Sequence, residues 1–201
     1  MEWIAILLLA GGVFVYFRYR RKPVDLSILP EQFVVVDLET TGLDSEKHEI
    51  IEIGAVRVNR DSDVHDTFQV LVKPKRKISK KITEITSITQ DMLEKDGQSL
   101  DSAMSEFVVF IGDNRLVSFN AEFDMAFLQN ASSQFGLTLK NPTSCALKMA
   151  RRAWPGRKSY RLVDLAKAGG LSVVGAHRAL HDCRLTITVY TAAAVKLRSV
   201  G

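Results

Sequence analysis

The run Phe33-Val-Val-Val-Asp37 constrains the fold more than any other stretch of this chain. Four apolar residues in succession, three of them β-branched, read as a strand buried on both faces. Residues 50–58 mix β-branched side chains with partial alternation, and residues 67–72 make a third strand-like run. Asn59-Arg-Asp-Ser-Asp63 between those two is turn-like, so the three strands are expected to form an antiparallel meander. Helical patterns follow at 89–95, 100–111, 121–135, 145–153, 162–169 and 182–197, with a short strand at 115–119 between two of them. Strands first, then helices with an interspersed strand, predict an α/β fold, a mixed β-sheet with helices on its faces. With 46% hydrophobic and 25% charged residues the chain is not disordered, and two cysteines exclude a disulfide scaffold or a multi-cysteine zinc cluster.

The N-terminal segment has a different character. Residues 3–17, WIAILLLAGGVFVYF, carry no charge and are followed at once by RYRRK. Arg18, Arg20, Arg21 and Lys22 against Glu2 supply three of the net four positive charges, so the rest of the chain is nearly neutral. A cleavable signal would place its charge before the apolar run and a small-residue cleavage site after it, the reverse of the order here. The segment therefore reads as a membrane-anchor helix over residues 1–22, short but flanked by side chains that snorkel. A linker at 23–30, bounded by Pro23 and Pro30, then leads to a domain at 31–201. Basic residues after the span place that domain on the cytoplasmic face of the inner (plasma) membrane. There Cys145 and Cys183 stay reduced.

Three short motifs hold the chemistry. Asp37-Leu-Glu39-Thr-Thr-Gly42 ends the first strand, and residues two apart on a strand point the same way, so both carboxylates share a face. Like charges so placed are costly without a cation between them. Asn120-Ala-Glu-Phe-Asp124 opens a helix, with Asn120 suited to its N-cap and Asp124 one turn on. His177-Arg-Ala-Leu-His-Asp182 precedes the last helix; Asp182 falls in its first turn, and the rival His181 reads as a surface histidine. Each motif alone is compatible with a plain capping or surface role. Together they give three aspartates, one glutamate and one histidine at element boundaries, an oxygen-rich donor set that favours Mg²⁺ or Mn²⁺ over zinc.

The three motifs, in this order, closely resemble those of the DEDD superfamily of 3′–5′ exonucleases. The match is to the DnaQ-like branch with a histidine base (DEDDh), which includes the proofreading subunit of bacterial replicative polymerase, ribonuclease T and oligoribonuclease. Glu52-Ile-Gly-Ala-Val56, Ile85-Thr-Ser-Ile-Thr89 and Ser159-Tyr-Arg-Leu-Val-Asp-Leu165 fit the same pattern, so the resemblance covers about residues 31–197. Arg178 stands where the tyrosine branch would place its tyrosine, while Phe119 and Cys183 depart from common choices without touching a ligand position.

The resemblance implies a ribonuclease H-like sheet. It also implies two divalent cations held by Asp37, Glu39, Asp124 and Asp182, with Asp37 bridging, and His177 as general base. The cations suit in-line phosphoryl displacement, and an imidazole suits proton removal from water at neutral pH. The main chain of Thr40, Thr41, Gly42 and Leu43, with Asn120 and Phe123, is expected to cradle the terminal nucleotide; Phe123 suits a core position equally. The expected substrate is the 3′ end of single-stranded DNA or RNA, with DNA favoured; the motifs themselves address phosphate and cation, not the sugar that distinguishes the two. An oligoribonuclease-type enzyme and a catalytically silent nucleic-acid-binding module are the alternatives. No sequence feature fixes the oligomeric state. Two basic clusters complete the reading. Residues 73–81 hold six cations in nine and suit lipid headgroups and nucleic acid equally; residues 148–161 hold six in fourteen, with Trp154 and Tyr160 between them, and suit substrate.

Overall fold

The computed structural model of the chain describes residues 26–199 and, ahead of them, the backbone of two short strands. These strands, β1 (Ala5–Leu8) and β2 (Phe14–Phe17), pair antiparallel, with Ala5 opposite Phe17. The anchor helix expected within residues 1–22 is therefore not what these two segments form. Phe14-Val-Tyr-Phe17 is β-branched and aromatic, a composition that favours strand over helix. No helix among the described residues is long and apolar enough to cross a membrane. The remainder of the anchor reading, with the basic flank and the start of the linker, lies outside the described residues. Beyond it, Leu29 is buried and Leu26 and Ile28 pack beside it against the domain core.

The main sheet has five strands in the order β5-β4-β3-β6-β7. The expected meander is present as β3 (Gln32–Thr40), β4 (Ile50–Asn59) and β5 (Asp66–Leu71), each antiparallel to its neighbour. On the other side of β3, β6 (Arg115–Ser118) and β7 (Thr143–Cys145) run parallel to it. The sequence signal did not reveal β7, three residues at the sheet edge whose partner, β6, supplies the pairing that local pattern does not.

Seven helices among the described residues surround the sheet: α1 (Lys80–Thr86), α2 (Gln90–Asp96), α3 (Leu100–Ile111), α4 (Ala121–Gln134), α5 (Ala146–Ala153), α6 (Leu162–Ala168) and α7 (Ala179–Arg198). Ser79, Thr89 and Ser99 cap the first three, each side chain accepting the N–H of the third residue on. The cap at Ser79 explains why the lysine-rich loop turns helical at Lys80, which its weak apolar periodicity did not announce.

Because β3 is central, its alternate residues feed two cores. Val34, Val36 and Leu38 pack with Met104, Phe107 and Leu128 from α3 and α4. Phe33 and Val35 pack with Val56, Val58, Cys183 and Tyr190, on the α7 side. The period of two then carries Asp37 and Glu39 onto the α7 side. On the neighbouring strand, Gly54 meets the start of α7 so closely that a Cβ there would lie 2.5 Å from the Leu180 nitrogen. That contact sets the height at which α7 begins, and so the position of Asp182.

Candidate active site

Strand period and helix placement bring the Asp182 carboxylate from α7 to the Asp37 and Glu39 pair on β3. One oxygen each of Asp37, Glu39 and Asp182 lies within 4.8 Å of the others. Glu39 and Asp182 are each only 9% exposed. A β-bulge falls between Glu39 and Thr40, where the register shifts from Glu39 opposite Glu52 to Thr40 opposite Ile50. Bulges re-aim the side chains that follow them, and here the bulge separates the carboxylates from the Thr-Thr-Gly turn.

Asp124 comes from the first turn of α4 and is buried; the Leu38 N–H donates to its carboxylate. Its charge acts directly on Asp37. The carboxylates thus crowd one another with little access to solvent, and their pKa values respond. Burial pushes Glu39 up to about 8, with Asp182 and Glu52 adding repulsion. Burial likewise lifts Asp124 to about 8, against the Leu38 and Asp124 N–H groups, which lower it. Asp37 is raised well above the carboxylate range by burial and then by Asp124, Glu39 and Asp182. Asp182 is raised by burial, partly offset by the His177 N–H. Among the described residues no lysine or arginine hydrogen-bonds to any of the four. Carboxylates that crowd like this, with oxygen as the donor available, fit hard divalent cations.

His177 reaches the cluster through its backbone. Its N–H donates to both Asp182 carboxylate oxygens at 3.3 Å, and its φ of +65° is a left-handed conformation uncommon outside glycine. The residue is exposed, so its ring has access to solvent beside the carboxylates.

What holds this turn is a pair that motif reading passed over. Glu52, fully buried on β4, accepts from Arg178 Nη2 at 2.7 Å, from the Ala179 N–H at 2.9 Å and from Gln69 Nε2 at 2.9 Å. Arg178 is the residue between the base candidate and α7. A lone glutamate inside Ile50-Ile-Glu-Ile-Gly-Ala was the available signal, because a buried charge implies a buried partner.

Thr40 donates its hydroxyl to the Gly42 carbonyl at 2.6 Å, and Thr41 Oγ1 accepts the Glu49 N–H at 3.0 Å, so the turn is internally braced. Gly42 lies under the His48 ring, where a Cβ would come within 2.5 Å of three ring atoms. Leu43 is 85% exposed and free to meet a ligand. Asn120 precedes α4 as expected, but its side chain makes no capping hydrogen bond and is exposed; its carbonyl instead accepts from Phe123 and Asp124. Phe123 packs toward the core, its ring 5.0 Å from that of Phe127, and stays half-buried. His181, expected at the surface, is half-buried near Gly175, because α7 starts at Ala179, three residues earlier than its sequence pattern indicated.

Comparison with known proteins points the same way. The RNase_T family of exonucleases matches residues 34–190. DNA polymerase III subunit epsilon of Aquifex aeolicus is 39% identical over 166 residues, covering 82% of this chain and 81% of that protein. DNA polymerase III PolC-type of Clostridium perfringens is 41% identical over 160 residues, but the chain spans only 11% of its length. Among solved structures, E. coli exonuclease I in complex with a dT13 oligonucleotide superimposes with a TM-score of 0.73 at 20% identity, over 85% of this chain and 42% of that one. Exonuclease X in complex with 5′-overhanging duplex DNA gives 0.65 at 28% identity, over 84% and 93%.

Proposed function

The chain belongs to the RNase_T family of exonucleases, and on that premise we propose that it is a 3′–5′ exonuclease that trims single-stranded DNA from the 3′ end with two divalent cations, Mg²⁺ or Mn²⁺. The observation that carries this reading is the convergence of Asp37, Glu39 and Asp182 within 4.8 Å, with Asp124 buried alongside. Those four residues would hold the cations, which would supply Lewis acidity and charge neutralisation at the scissile phosphate.

This chain's own residues do the rest. His177 takes a proton from the attacking water onto its ring, from an exposed position that the Asp182 carboxylate fixes through the His177 N–H. As the water oxygen bonds to phosphorus, the bond to the 3′ oxygen of the preceding nucleotide breaks and a nucleoside 5′-monophosphate leaves. The Thr40–Leu43 turn, with Asn120 and the exposed edge of Phe123, binds that terminal nucleotide, Leu43 supplying an apolar face for its base. DNA as substrate is supported by the relatives, two DNA polymerase III proteins and two exonucleases bound to DNA. On the sequence alone, the apolar run and its RYRRK flank, we also propose membrane attachment through residues 3–17 with the nuclease domain in the cytoplasm.

The test is digestion of 5′-labelled single-stranded DNA and matched RNA with Mg²⁺ and with chelator. We expect shortening from the 3′ end, mononucleotide products, faster loss of DNA, and no reaction in chelator. Faster loss of RNA would make it an exoribonuclease; no shortening of either would leave only a binding module.

A further inference from the structure

From the end of β7 into the first turn of α6 runs a stretch of eighteen residues, 146–163, without a single acidic side chain. It contains Lys148, Arg151, Arg152, Arg157, Lys158 and Arg161, all exposed. Among the described residues none of the six forms an ion pair; Arg151 lies 6.0 Å from the Tyr160 ring centre and is otherwise unengaged by its side chain. Cations that are neither paired nor scattered among acids mark a surface kept for an anionic partner. The local structure also organises them. Ala146, Ala150 and Ala153 turn one face of α5 into the core, leaving Lys148, Arg151 and Arg152 on the other. The loop that carries Arg157 and Lys158 is pinned by the Tyr160 hydroxyl, which donates to the Trp154 carbonyl and accepts the Arg157 N–H at 3.2 Å.

Beside these cations opens an apolar slot of about 180 Å³, lined by Trp154, Arg157, Leu165, Leu171 and Val189. The face begins near the carboxylates: β7 ends at Cys145 next to Ser118 of β6, and β6 lies beside Val35 of β3, two residues before Asp37. From there α5 runs about 12 Å at 1.5 Å per residue.

We propose that this face binds the phosphate backbone of the strand upstream of its 3′ end, and that the Trp154 slot receives one of its bases; the proposal rests on the nuclease reading above. Four of the six cations are arginines, whose planar fork matches phosphate oxygens, and an indole beside them is a stacking surface for a base. The other basic cluster, 73–81, differs: five of its six cations are lysines, and Lys80 approaches Glu84 at 3.9 Å.

The experiment uses the full chain. Binding of fluorescent dT20 and dT4 is measured by anisotropy in chelator across a salt series. It compares wild type with R151Q/R152Q/R157Q/K158Q and, as a second variant, K148Q/R161Q. We expect the fourfold variant to lose at least tenfold in affinity for dT20, with a salt slope shallower by about 0.7 for each phosphate contact removed. Affinity for dT4 and its turnover with Mg²⁺ should be unchanged. In a W3F background, dT20 should quench Trp154 fluorescence and dT4 should not. Equal losses on both lengths, or undiminished dT20 binding by both variants, would overturn the proposal. So would variants that lose only co-sedimentation with phosphatidylglycerol vesicles, a result that would assign the face to membrane. A wild type that binds dT20 through this face yet never cleaves dT4 would sink the nuclease reading and leave this one standing.

Discussion

At the scale of single residues, the proposed active centre rests on a buried charge outside the three motifs. Glu52 is sealed inside the sheet, and Arg178, the Ala179 N–H and Gln69 neutralise or satisfy it. Removing one partner of a buried pair costs about 3–5 kcal/mol, since the other is left charged and dry. R178A should therefore lower both stability and turnover, whereas R178K should recover part of each, read by thermal melts and by kcat. H177A differs in kind. The side chain is exposed and supports no packing, so stability should hold while turnover falls by about 10²–10⁴-fold, the usual contribution of a positioned acid or base; undiminished turnover would remove the base assignment. The residues proposed for the site, Asp37, Glu39, Asp124, Asp182 and His177, could be picked out in the sequence because each sits in a dense polar motif after an apolar run. Glu52 was not, because what makes it matter is a partner 126 positions away.

Elements carry the next level of the account. The central strand and the meander were readable from residues 33–72 because burial on both faces writes an unbroken apolar run. β7 and α1 were not, since an edge strand draws its pairing from a neighbour and a seven-residue helix relies on one capping serine. The same logic hid the true start of α7: the pattern points to Asp182, but Ala179 and Leu180 are drawn into the helix by contact with Gly54. G54V should consequently push α7 off the sheet. Its Cβ would overlap the backbone of Ala179 and Leu180, and overpacking of this kind costs about 1–3 kcal/mol or more. We expect a lower melting temperature and a loss of activity larger than the stability loss explains, because Asp182 and His177 travel with the helix. Normal activity in a folded G54V protein would contradict the view that this contact sets the height of the site.

For the molecule as a whole, the crowded carboxylates tie folding to pH and to cations. In the unfolded chain these groups ionise near pH 4; in the fold Glu39 and Asp124 hold their protons to about pH 8. The native state thus binds protons that the unfolded chain has released. The contribution of these groups to stability is complete below about pH 4 and disappears as pH rises through about 8. Melts in chelator should show this part of the stability falling between pH 6 and 8.5, and D124N should flatten the fall. A divalent cation prefers the ionised cluster, so Mg²⁺ should raise the melting temperature more at pH 8.5 than at pH 6. The most direct test of the central claim is the stoichiometry of Mn²⁺ binding to the purified chain, followed by electron paramagnetic resonance. The account predicts two ions per chain, displaced by Mg²⁺, with binding abolished in D37N. A chain that binds no Mn²⁺, or whose binding survives D37N unchanged, would contradict it.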